Sequence, residues 1–149
     1  MNFSKTKHFK ESEWPDGALE HMDQRVFDVL FELRSKLNCP MFPSPVFAGH
    51  VRHESSNSRH STKEKTRLSD ATDFFVEEVG MLQHVLVVAR SIEKIGGIGI
   101  YFDTKPSVMF HIDTREDKLD WVRSNGKYIY LQVDPVLYYA TLSTELSKL

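Results

Sequence analysis

Residues 108–113 read Val-Met-Phe-His-Ile-Asp, and this alternation constrains the chain more than any other stretch. Side chains alternate faces along a strand, so Val108, Phe110 and Ile112 share one face and His111 and Asp113 the other, roughly 6–7 Å of rise apart. The first face is apolar and has to be buried. The second presents an imidazole and a carboxylate together on a rigid support, or is simply a solvated His–Asp pair. Upstream, Ile98-Gly99-Ile100-Tyr101-Phe102 forms a second strand, and a turn over 103–107 containing Pro106 makes the two a hairpin.

Helices complete the pattern. Val26, Val29, Leu30, Leu33 and Leu37 recur at helical spacing, with charged residues opposite, so residues 19–37 form an amphipathic helix. Asn38-Cys39-Pro40 ends it, because proline disfavours helix in the residue before it. Phe9 and Trp14 are expected to tuck against this helix. An edge strand is expected around Pro45-Val46-Phe47, a long polar loop over 49–65 and a strand over 72–79. A buried second helix covers 81–94, stopped by Gly96-Gly97. A strand over 127–133 and a C-terminal helix over 135–149, with proline in its first turn, follow. The fold class is α+β: one domain, 1–149, with a small antiparallel sheet and helices packed on it.

Composition narrows the function. Nineteen basic and twenty-one acidic residues leave a formal charge of −2, which disfavours a general nucleic-acid binder. The single cysteine, Cys39, cannot form an internal disulfide, so the fold does not depend on an oxidising compartment. No stretch approaches the ~18 apolar residues of a membrane span. The N-terminus has positive charge without an apolar run behind it and does not read as a secretory signal, so action outside the membrane requires another exit route, such as a pore or lysis.

His60 lies in the polar loop and Asp73 where the chain enters a strand. If that strand pairs beside the one carrying His111, two imidazoles and a carboxylate converge. That set suits zinc and leaves a coordination position open for water, the pattern of a catalytic site. The plainer reading is a loop histidine and a strand-initiating aspartate with no metal, since seven histidines make some such series nearly inevitable.

Seven segments in order resemble a known family. They are His8-Phe9 with Ser12-Glu13-Trp14, Phe31-Glu32-Leu33-Arg34, Ala48-Gly49-His50-Val51-Arg52, Asn57-Ser58-Arg59-His60, Ala71-Thr72-Asp73, Gly96-Gly97-Ile98-Gly99-Ile100-Tyr101, and Phe110-His111-Ile112-Asp113-Thr114-Arg115 with Trp121 beyond. Together they are similar to the zinc D-Ala-D-Ala carboxypeptidases and phage L,D-endopeptidases, which share a fold with hedgehog signalling domains. The resemblance covers residues 8–121. It implies His60, Asp73 and His111 as zinc ligands, and Arg52 as the guanidinium that holds a substrate carboxylate or carbonyl oxygen. It implies a hydrolase acting on an amide bond in the peptide stem of bacterial peptidoglycan, released in the manner of a phage lysis enzyme.

Two departures stand out. The family pattern HxxGxAxD sets its first two ligands closer than the thirteen residues from His60 to Asp73, which reads as an insertion near 63–68, with Ser69 in place of the glycine. The catalytic acid that many members carry three residues before the last histidine is here Val108. Asp113 is then either the general base, passing a proton from water to the leaving amine, or a carboxylate that orients a neighbour. His53, Glu54 and Asp103 are spare candidates, and His50, in place of a tyrosine, is expected to line the cleft. Two rival readings are a non-catalytic, zinc-stabilised phage structural or assembly module and a metal-free binding domain. Residues 122–149 lie beyond the resemblance; Tyr128, Tyr130, Tyr138 and Tyr139 there either complete the fold or bind cell wall or a partner.

Overall fold

The computed structural model describes residues 2–3, 7–53, 57–62, 67–77, 79–105 and 107–149. Helix α1 spans Gln24–Leu37, with the Asp23 side chain capping its first turn and Asn38 in the left-handed conformation at its end. Residues 19–21 belong to a separate 3-10 turn, Ala18–His21. Val26, Leu30 and Leu33 are buried, and rings from the N-terminal segment close over α1: Phe9 stacks on Phe31 at 5.7 Å and Trp14 lies 5.2 Å from Phe27.

The sheet has six strands in the order β1-β2-β4-β3-β5-β6. They are β1 (Met41–Pro43), β2 (Ala71–Val76), β3 (Gly97–Tyr101), β4 (Met109–Asp113), β5 (Leu119–Ser124) and β6 (Lys127–Tyr130). The expected hairpin is present as β3–β4. The edge strand forms at Met41–Pro43 rather than around Val46; Pro45 offers no N–H to extend the ladder, and Phe47–Gly49 turns as a 3-10 helix.

The sheet is mixed rather than purely antiparallel, because β5 pairs parallel with β3. Its sequence, Leu-Asp-Trp-Val-Arg-Ser, hides the strand by placing a charged residue on each face. Asp120 on the inner face is buried and paired with Arg90. The short link from β4 to β5 crosses the start of β3, where Gly96 and Gly97 lie. A Cβ on Gly96 would strike the backbone of Arg115, and one on Gly97 the carboxylate of Asp113. Close approach of another segment therefore explains the glycine pair. They do not stop the second helix, α2 (Leu82–Arg90), which ends six residues before Gly96.

Phe74, Phe110, Ile98, Ile100, Ile112 and Val122 point to one face of the sheet and form a core with α1 and α2. Helix α3 (Pro135–Leu146) joins the same side, burying Tyr138 and bonding Ser124 through Glu145. The opposite face carries a row that crosses five strands: Asp73, His111, Gly99, Trp121 and Tyr130 are successive cross-strand partners. Gly99 is the gap in that row, and the Trp121 indole lies across it. Replacing Gly99 with alanine should therefore lower unfolding free energy by about 1–3 kcal/mol in urea titrations, by driving the new methyl into the indole.

Candidate metal centre

Two of the three expected ligands sit side by side because of strand register. Asp73 on β2 is the direct partner of His111 on β4, so their side chains leave the sheet on the same face. The third arrives on the turn 57–62. There the His60 carbonyl accepts the Arg52 N–H at 2.8 Å and the Arg52 carbonyl accepts the Thr62 N–H at 2.9 Å. An ion pair between Arg59 and the buried Asp70 fastens the turn to the entrance of β2.

The result is a triangle of ligand atoms. His60 Nε2 lies 3.0 Å from His111 Nδ1, His111 Nδ1 lies 2.9 Å from Asp73 Oδ1, and His60 Nε2 lies 3.3 Å from Asp73 Oδ1. Ligands about 2.0–2.1 Å from a tetrahedral zinc are separated by roughly 3.3 Å, so the three atoms stand close to the spacing such an ion demands. All three side chains are buried. The group can hold a metal ion.

The chemistry of the donors also fits. His111 Nε2 donates to Asp113 Oδ2 at 3.0 Å, which fixes the tautomer and leaves the Nδ1 lone pair facing His60 and Asp73. Asp113 is fully buried, and its other bonds are all to neighbours. Its Oδ1 accepts from the Gly97 N–H at 3.0 Å, the Arg115 N–H at 3.1 Å and Arg115 Nε at 2.8 Å. Burial alone would raise its pKa, but His111 and the Arg115 guanidinium hold it far below the usual carboxylate range. Asp113 therefore stands behind the His111 ring, on the side away from the ligand triangle. Of the two roles open to it from sequence, its position fits orientation of His111 and does not fit a general base.

Asp73 is likewise held ionised. Burial opposes it, and His60 and His111 outweigh that penalty. For His111, burial favours the neutral ring, but Asp113 and Asp73 on its two nitrogens push its pKa up to about 9. His60 Nδ1 has no hydrogen-bond partner among the described residues, so the ring's orientation rests on the turn that carries it.

A cleft of about 240 Å³ opens beside His60 and His111. Arg52 lines it, with its Nε donating to the Ala48 carbonyl at 3.2 Å. Arg59 and Arg115 also reach it, each already paired with a carboxylate. Among the described residues no carboxylate lines the cleft. Tyr101, Trp121, Tyr128 and Tyr130 form an aromatic wall, and Asn57, Ser58 and Leu119 complete the lining. Tyr128 and Tyr130 thus join the cleft; Tyr138 is core and Tyr139 is exposed on α3.

The other candidates lie elsewhere. His50 is fully buried and not a cleft residue: its Nε2–H donates to the Ser44 carbonyl at 2.7 Å and its Nδ1 accepts from the Thr72 hydroxyl at 2.9 Å. Burial lowers its pKa, in keeping with a neutral ring. His53 packs edge-on to His21 and contacts Thr62. Asp103 accepts the Gly126 N–H and secures the β5–β6 turn. Glu54 and residues 63–66 of the expected insertion lie outside the described residues; Ser69 is buried and donates to the His50 carbonyl.

No family model, curated protein or solved structure matches the chain.

Two outcomes follow from the geometry. If the triangle takes up added zinc, Asp113→Asn should weaken that binding about 10–100-fold in chelator competition, whereas a residue acting only on a proton in transit would leave the affinity unchanged. In the metal-free protein the His111 proton contributes stability fully below pH 6.5, and this is lost as pH rises through about 9. A cation bound at His111 Nδ1 would displace that proton, so the affinity for added zinc should rise over the same interval, as read by competition titrations between pH 6 and 9.

Proposed function

We propose that the protein is a zinc-dependent peptidase that hydrolyses an amide bond in the peptide stem of bacterial peptidoglycan. One observation carries the reading: the His60, Asp73 and His111 ligand atoms form a triangle 2.9–3.3 Å on a side at the wall of a cleft. Three protein ligands with an approachable fourth side suit a catalytic zinc better than a structural one, which takes four. The seven ordered sequence segments supply the substrate class, and the cleft's excess of guanidinium over carboxylate suits a substrate carrying carboxylates.

Zinc bound there would polarise the scissile carbonyl and lower the pKa of a coordinated water toward ~7. The chain's own residues divide the remaining work. Asp113, clamped by Arg115, fixes the tautomer and ring orientation of His111. Arg52 at the cleft wall binds a substrate oxygen. Trp121, 4.9 Å from the His111 ring, closes one side of that ligand to water. Action on the cell wall after release from the producing cell belongs to the same reading.

A second reading is favoured by the absence of any cleft carboxylate among the described residues: a zinc-stabilised structural or assembly module that keeps the site without turnover. The two are separated by incubating the zinc-loaded protein with purified sacculi and measuring new free amines. Release that disappears in His111→Ala, together with about one zinc per chain in the wild type, is the expected result. Full zinc occupancy without amine release would favour the module, and full zinc occupancy in His60→Ala or His111→Ala would exclude this ligand set.

A further inference from the structure

The row that carries the metal ligands runs on past His111. Across Gly99 it reaches Trp121 on β5 and then Tyr130 on β6. In the adjacent row on the same face, Tyr101, Arg123 and Tyr128 are cross-strand partners. Trp121, Tyr130, Tyr128 and Tyr101 line the same cleft as His60 and His111, so metal centre and aromatic wall form one continuous surface.

The wall is organised. Tyr128 and Tyr130, two apart on β6, hold their rings within 17° of parallel at 6.4 Å. Trp121 follows at 6.4 Å from Tyr130. The Arg123 guanidinium packs against Tyr128 at 5.5 Å and Tyr101 at 5.7 Å, and is tied to Asp103, which also secures the β5–β6 turn. Tyr128 is 49% exposed, an unusual amount of ring surface to leave in water on a strand so tightly braced.

We propose that this β5–β6 strip is a carbohydrate subsite, taking an N-acetylated hexose of a glycan chain. The C–H face of a pyranose is weakly positive and packs on the negative face of an aromatic ring, while its rim of hydroxyls suits phenol hydroxyls and a guanidinium. A wall of tyrosines beside the Arg123 guanidinium, with Asp103 engaged by that guanidinium and by the β5–β6 turn, offers that combination. The distance fits as well. Tyr130 stands three strands from His111, or about 14 Å at ~4.8 Å per strand. An extended peptide covers that span in about four residues at ~3.4 Å each. The sugar would then sit about four residues along the stem from the hydrolysed bond.

The inference rests on the proposed function for the identity of the glycan, and its test does not require turnover. A short N-acetylglucosamine oligomer, which has no peptide stem, is titrated by calorimetry into the full chain as purified and after chelation. Saturable binding of similar strength in both preparations is expected. It should weaken about tenfold or more when Tyr128→Ala and Tyr130→Ala are combined. Most of it should survive Tyr130→Phe, which keeps the ring. No binding at millimolar sugar would overturn the proposal, as would undiminished binding by the double variant with its native circular dichroism intact. Either failure leaves the amine-release result standing, and loss of amine release leaves the sugar titration standing.

Discussion

The site depends on the register between β2 and β4. Asp73 opposite His111 places a carboxylate and an imidazole on one face at a distance set by the backbone ladder. A slip of β2 by one residue would turn Asp73 into the core and bring Thr72 or Phe74 to the site face beside His111. The same register presents Phe74 and Phe110 to the core as stacked rings 5.5 Å apart. Hydrophobic burial on one face thus fixes the geometry of the candidate ligand pair on the other. Any change loosening that aromatic pair acts on the ligands without touching them.

Behind the ligands lies a chain of charge: Asp73, His111, Asp113 and Arg115, linked in that order through both nitrogens of the imidazole. Buried ions are expensive, and this one is tolerable because nearly every lone pair is matched. The backbone takes part. Gly97 offers its N–H to Asp113 at a place where any side chain would collide with that carboxylate. The glycine that opens β3 therefore serves the site as much as the fold.

Much of this was legible in the sequence. The alternation over 108–113 predicts one buried face and one bearing His111 and Asp113, and helix α1 follows from its periodicity. Bringing His60 and Asp73 to His111 required a pairing that spacing alone could not establish; ordered short segments pointed to it. Strand β5 was hidden because Asp120 and Arg123 break its pattern, and without β5 neither the parallel pairing nor the role of Tyr130 can be seen. The position of Asp113 behind His111 depends on which ring nitrogen faces which neighbour. His50 reads as a cleft residue from its place in a motif, yet its partners Ser44 and Thr72 draw it into the interior.

Two ligands stand on strands and the third on a turn between 57 and 62, tied down by backbone bridges to Arg52 and by Arg59. An ion held by all three would join that turn to the sheet as a clasp. The order of a surface segment would then be linked to cation concentration, since whatever binds only the closed form stabilises it by mass action. Susceptibility of that turn to proteolytic nicking would then fall as the cation is supplied, were the three ligands to take one up.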